Sequence, residues 1–151
     1  MSATEELMDC IARDLPAWMS AVREFNEQVA RQVGVGTSDL YCLHELLYDG
    51  PLASGQLARR LRLTTGAITR MIDRLEEVGL ARRIADPADR RRVLVEAIPG
   101  GVAAMVGRYE ALNEQTRRTL LQFSRAELEI VARFVAASVR DATALVSGSR
   151  L

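Results

Sequence analysis

The sequence predicts a mainly α fold with one small β-hairpin, and three observations predict it. Apolar residues recur at spacings of three and four along most of the chain. That period breaks in one window after Gly79, where two short runs rich in aliphatic and β-branched residues flank a charged loop. Two short helical patterns joined by a tight turn stand immediately before the window. With 151 residues, 48% of them hydrophobic, the chain can bury about 70% of the surface it exposes when unfolded, which supports a core without disulfide or metal staples.

The elements follow in order. From Thr4 to about Val33, Leu7, Ile11, Trp18, Val22, Phe25 and Val29 form one stripe of an amphipathic helix, expected to be buried. Pro16 has no N–H to donate and predicts a kink or break near Asp14 to Leu15. Gly34-Val35-Gly36 ends the element, and Thr37 or Ser38 is expected to cap the next helix, which turns Leu40, Leu43, Leu46 and Leu47 inward. After Gly50-Pro51, Ser54 is the expected N-cap of a short helix through Arg60, with Leu57 and Leu61 one turn apart. Arg62-Leu63-Thr64 makes the turn into a second helix, from Thr64 or Thr65 to about Val78, whose core stripe is Ile68, Met71, Ile72 and Leu75. Leu80 to Ile84 and Arg92 to Ile98 read as the hairpin strands. Pro99 suits the first turn of a long helix carrying Val102, Met105, Val106, Tyr109 and Leu112. Ser124 and Glu127 form a capping box for a last helix with Leu128, Val131, Phe134, Val135 and Val139, and stripes of this kind need a cover that a second chain would supply.

Charge points to a partner. The formal net charge is zero, yet ten arginines against six acids leave residues 51–98 at +4 and the remainder at −4. The chain has no lysine, so every basic side chain is a planar guanidinium able to fork onto a phosphate or a base edge. On the second helix of the pair, Gly66, Thr69, Arg70 and Asp73 project opposite the core stripe, with Thr65, Ala67 and Arg74 on the flanks and Thr64 at the start. Small residues let a backbone approach DNA, threonines offer a hydroxyl and a methyl, and arginine binds guanine in two-pronged fashion in the major groove. The hairpin tip, with Asp89, Arg90, Arg91 and Arg92, suits a minor groove whose negative potential attracts arginine, and Asp89 is expected to hold the Arg91 guanidinium extended. Together these describe a winged helix-turn-helix.

The residues Ser54 to Leu61, Leu63 to Glu76, Gly79-Leu80 and Asp86-Pro87-Ala88-Asp89-Arg90-Arg91-Arg92-Val93-Leu94-Val95 resemble the MarR family of bacterial regulators. The resemblance is strong over the central third and extends to the flanking helices in placement and length. It implies that N- and C-terminal dimerisation helices interlock two chains, that the second helix of the pair reads the major groove, and that Arg91, with Arg90 next, enters the minor groove. It also implies effector binding between the dimerisation helices and the DNA-binding lobe. The expected division is therefore 1–36 and 99–151 for dimerisation and 37–98 for DNA. A twofold dimer would set its recognition helices about 34 Å apart on a palindromic site in double-stranded DNA.

The remaining candidates weigh less. Trp18, Phe25, Tyr41 and His44 are candidates for a small-molecule effector pocket, although core packing explains them as well. One branch of the resembled family senses organic hydroperoxides through an N-terminal cysteine, which makes Cys10 a redox candidate, but a small apolar core role is the stronger expectation, since no activating partner is legible. Cys10 and Cys42 form no CxxC pair or zinc spacing, so no metal or cofactor is expected, and no nucleophile–base pair or phosphate loop suggests an enzyme. The start lacks a signal-peptide pattern and no apolar run is long enough for a membrane span, which predicts a cytoplasmic protein. The leading function is an effector-relieved repressor acting as a homodimer. A thiol-switched regulator and a winged-helix protein-interaction module are the alternatives, and the second of these would want an apolar outer helix face.

Overall fold

A computed structural model describes residues 2–148. Nine elements follow one another: α1 (Ala3–Val33), α2 (Thr37–Asp49), β1 (Leu52–Ala53), α3 (Ser54–Leu61), α4 (Thr65–Glu77), β2 (Ala81–Ala85), β3 (Val93–Ala97), α5 (Pro99–Leu120) and α6 (Arg125–Gly148). The mainly helical class with a small hairpin is the one observed. The chain separates into two compact units, one through Arg108 and one from Tyr109 onward.

In the first unit α1 opens on a capping box: the Ser2 hydroxyl accepts the Glu5 N–H at 3.3 Å while the Glu5 carboxylate accepts the Ser2 N–H at 2.5 Å. The expected break at Pro16 does not occur, and α1 runs unbroken through it. Only the bond to the Ala12 carbonyl is forfeited, and Ala12 and Pro16 are both exposed, on a part of the helix open to solvent. The helix ends at Gly34, whose φ of 77° lets the chain turn left-handed and return an N–H from Val35 to the Ala30 carbonyl at 3.0 Å. Burial of the stripe is also corrected. Val29 and Ala30 are buried, whereas Leu7, Ile11 and Trp18 are exposed, because the amino-terminal half of α1 has nothing of the unit's core beneath it.

Helix α2 starts one residue earlier than its polar residues suggest. Gly36 is the N-cap, and the Asp39 carboxylate accepts its N–H at 3.3 Å, displacing Thr37 and Ser38 from the expected capping role. Leu40, Cys42, Leu43 and Leu46 are buried and Leu47 faces outward. Ser54 likewise belongs inside α3, where Ala53 is the N-cap and Gln56 accepts its N–H at 2.9 Å. The reason lies in β1, a two-residue strand that pulls Leu52 and Ala53 into extended pairing with Val95 and Leu94 of β3. The sheet runs β1-β3-β2, all antiparallel, and β2 pairs with β3 from Ala81↔Ala97 to Ala85↔Val93.

The core of this unit is built from Leu40 and Leu43 of α2, Leu57 of α3, Ile68, Met71, Ile72 and Leu75 of α4, Val95 of β3, and Val102 and Met105 of α5, all buried. Each such side chain contributes about 1.5–3 kcal/mol of apolar burial, which fixes α4 against the lobe along its inner face. Arg62 closes α3 in the left-handed region with φ of 56°, the one non-glycine residue with positive φ among the described residues. At the other end of α4, the first turn of α5 presses on the turn before β2. A Cβ added at Gly101 would collide with the Gly79 carbonyl oxygen.

The second unit holds the end of α5 and α6. Ser124 and Glu127 make the expected capping box, the Ser124 N–H donating to the Glu127 carboxylate at 2.7 Å and the Glu127 N–H to the Ser124 hydroxyl at 3.4 Å. A hydrogen bond from the Ser124 hydroxyl at 2.7 Å, followed by the one from the Ser124 N–H, holds the Glu127 carboxyl below its ordinary value. No residue of α6 with a described side chain is buried, and Ile130, Phe134, Val135, Val139 and Leu145 are exposed.

Candidate nucleic-acid interface

The α3–α4 pair is joined by a turn that the backbone itself fixes. Left-handed Arg62 sends the chain back so that the Leu63 N–H reaches the Ala58 carbonyl at 2.9 Å, and Thr64 then caps α4 by accepting the Ala67 N–H at 3.2 Å. With Ile68, Met71, Ile72 and Leu75 turned inward, Thr65, Gly66, Thr69, Arg70, Asp73 and Arg74 are exposed and Ala67 is partly covered. The Thr69 hydroxyl donates to the Thr65 carbonyl at 2.9 Å. Arg70 runs back over Gly66, its Nη1 standing 3.8 Å from where a Cβ would sit on that glycine.

Two of the expected groove-facing residues are already engaged. Arg74 turns to Asp39 at the start of α2, with Nη2 2.6 Å from Oδ1 and Nε 3.4 Å from Oδ2. Asp39 is buried, and its hydrogen bond is the leading cause of the raised pKa of Arg74. Asp73 accepts from Arg83 of β2 at 2.7 Å. Glu76, one turn on, accepts the Arg83 backbone N–H at 2.8 Å and also pairs with its guanidinium. The bond to Asp73 is the largest cause of the raised Arg83 pKa. Spacing along α4 could not reveal these pairs, because both partners lie on other elements.

The wing is a folded tip. Asp86 is buried at its base, accepting the Ala88 N–H at 2.8 Å through Oδ1 while its own N–H donates to the Arg92 carbonyl at 3.0 Å. The Arg92 N–H returns to the Asp89 carbonyl at 2.8 Å. Asp89 accepts the backbone N–H of Arg91 at 3.0 Å, so it shapes the turn and does not grip the Arg91 guanidinium as expected from sequence. Arg92 lies 3.8 Å from Asp86, and Arg90 and Arg91 stand exposed at the tip. Further back Arg82 pairs with Glu96 across the strands, and Arg60 pairs with Glu45 and Asp49. Of the arginines in this segment, Arg59, Arg62, Arg70, Arg90 and Arg91 make no ion pair among the described residues.

The other candidates are dispersed. Trp18 and Tyr41 line an open groove of about 540 Å³ with Met19, Val22 and Arg23, whereas Phe25 and His44 do not reach it. Phe25 lies under the Arg108 guanidinium at 5.5 Å, and half-burial lowers the pKa of His44. Cys10 is exposed, with its sulfur 3.5 Å from Asp14 Oδ2 and 3.4 Å from Arg13 Nη2, which overturns the expected core role. It sits on the uncovered half of α1. Cys42 is the buried cysteine, its thiol pushed up to about 12, mainly by burial. No cluster of side chains suited to a metal occurs among the described residues.

Comparison with known proteins matches this architecture. The family model described as MarR family matches residues 38–93, from the second residue of α2 to the first residue of β3. The HTH-type transcriptional regulator YcgE of Bacillus subtilis is 32% identical over 111 residues, covering 74% of this chain and 72% of that protein. The HTH-type transcriptional repressor MdtR of the same organism is 29% identical over 133 residues, covering 81% and 84%. Among solved structures, a MarR family protein from Bacillus stearothermophilus superposes with a TM-score of 0.69 at 19% identity, covering 94% of this chain and 99% of that one.

Proposed function

Since this chain belongs to the MarR family of DNA-binding transcriptional regulators, and is a regulator and not an enzyme, we propose that it acts as a homodimeric repressor on a palindromic operator and is released by a small-molecule effector. The observation that carries the reading is the set of uncommitted arginines. Arg70 on the outer face of α4 and Arg90 and Arg91 at the wing tip are exposed and make no ion pair among the described residues, while their neighbours are locked in ion pairs that hold the lobe together. In this reading Thr65, Gly66, Thr69 and Arg70 meet base edges in the major groove, with Thr64 and Ala67 close to the backbone, and Arg91 and Arg90 enter the minor groove. Arg74, Asp89 and Arg92 hold these residues in place, and Asp73 is itself held by Arg83.

Residues 1–36 and 99–151 supply the dimer interface. The exposed apolar positions Leu7, Met8 and Ile11 of α1 and Phe134, Val135 and Val139 of α6 support it, because isolated helices with such stripes are not stable in water. Repression is supported by the likeness to MdtR, a named repressor. The groove of Trp18 and Tyr41 is the place for an effector that favours a dimer whose helices no longer match the operator. No helix among the described residues is long and apolar enough to cross a membrane, and a protein that acts on DNA belongs in the cytoplasm. The test is to select duplexes from a random library with the purified protein, then compare binding of the enriched duplex and a scrambled one at fixed salt. An inverted repeat bound tightly by a dimer is expected. Equal weak binding to both duplexes would overturn the reading.

A further inference from the structure

Arg83 is the one residue whose ion pairs join the wing sheet to α4 among the described residues. Its backbone is fixed by Glu76 at 2.8 Å, and its guanidinium divides between Glu76 and Asp73, reaching Asp73 Oδ1 at 2.7 Å. Asp73 stands three residues after Arg70 on the outer face, the spacing at which an aspartate and an arginine on one helix meet. Left alone, the Asp73 carboxylate would draw the Arg70 guanidinium down the helix. It would also place an uncompensated negative charge where phosphates approach. Instead Arg70 lies back over Gly66, toward the start of the helix, with no ion pair among the described residues. Arg70, Asp73, Glu76 and Arg83 sum to zero charge, and without Arg83 the same patch is negative.

Resting on the DNA-binding reading, we propose that Arg83 is a positioning residue for DNA recognition: by holding Asp73 and Glu76 it keeps Arg70 uncommitted and the groove-facing side of α4 free of bare carboxylates. Arg83 itself touches no DNA in this role. A duplex selected from a random library by the wild-type protein is the probe, and affinity, preference over a scrambled duplex, the slope of affinity against salt, and thermal melting are the readouts. Arg83→Gln is expected to bind the selected duplex roughly tenfold more weakly and to lose preference at the base pair that Arg70 reads. Adding Asp73→Asn to Arg83→Gln is expected to recover most of both.

If Arg83 met a phosphate directly, the salt slope would fall by about one ion and Asp73→Asn would recover nothing, which overturns the proposal. Wild-type binding by Arg83→Gln overturns it too. Should Arg83→Gln fail to fold, Arg83→Lys serves in its place, since a point charge cannot divide between two carboxylates as a fork does. Its penalty is expected in the native background and should shrink in Asp73→Asn, and an equal penalty in both overturns the role. A wild-type protein that discriminates no duplex overturns the DNA-binding reading, and this role with it.

Discussion

A guanidinium that already holds two carboxylates has little to give a phosphate, and that distinction divides the arginines of this lobe. Arg70 is exposed and makes no ion pair among the described residues, so Arg70→Ala should cost about 1–3 kcal/mol on the selected operator and relax preference at one base pair. An equal loss on every sequence would remove it from base reading. Arg91→Ala should weaken binding to all duplexes and lower the slope of log affinity against log salt by about 0.9, and an unchanged slope would take the wing tip off the DNA. His44 gives a prediction in pH. Burial lowers its pKa, so the folded protein resists protonating it. That stability is complete above the ordinary value of 6.5 and is lost as pH falls from there through the lowered folded value. The melting temperature should fall more steeply between pH 7.5 and 5.5 in the wild type than in His44→Gln, and parallel curves would sink the assignment. At this scale the sequence revealed which residues face outward on α4, because a period of 3.6 fixes a face. It did not reveal that Asp73 and Arg74 have partners, since Arg83 and Asp39 are brought to them by folding, and it paired Asp89 with the Arg91 guanidinium where the structure pairs it with the Arg91 backbone N–H.

Helices were legible wherever an apolar stripe met a core: α4, with Ile68, Met71, Ile72 and Leu75 all buried, lies where its pattern puts it. Ends were less so. A two-residue strand has no period to detect, and β1 moved the start of α3 from the expected cap. Pro16 illustrates a different limit, since whether a proline breaks a helix depends on who else can satisfy one carbonyl, which is a matter of exposure. The two adjacent glycines at the start of α5 make a paired prediction. Gly100 has open space around it and Gly101 lies on the Gly79 carbonyl. Gly100→Ala should therefore be neutral or stabilise by up to about 1 kcal/mol, while Gly101→Ala should destabilise by about 1–3 kcal/mol through overpacking. Urea melts of the two variants check this, and equal midpoints would show that the turn yields freely.

For the molecule as a whole, the apolar face of α6 has no counterpart within the described residues that buries it, and the amino-terminal half of α1 shares that condition. The proposed homodimer resolves both. Phe134→Arg places a charge on the exposed stripe without entering the first unit's core, so it should leave helix content unchanged while shifting sedimentation from dimer to monomer. A palindromic site would then lose at least tenfold in affinity, because two half-sites are no longer engaged by one linked particle. A dimer that survives the substitution would move the interface elsewhere. The sequence indicated that these stripes need covering but not by what, since periodicity describes one chain and an interface belongs to two.

One small contact bears on how such a dimer would be switched. Where Gly101 meets Gly79, main chain rests on main chain, and no side chain lies between them to compress or change rotamer. In the proposed homodimer the pair would act as a fulcrum: tilting the first turn of α5 would press on the end of α4 with little slack, much as a key turns a lock through a rigid tooth, so a displacement begun at the proposed dimer helices would reach the proposed DNA-facing helix nearly undamped.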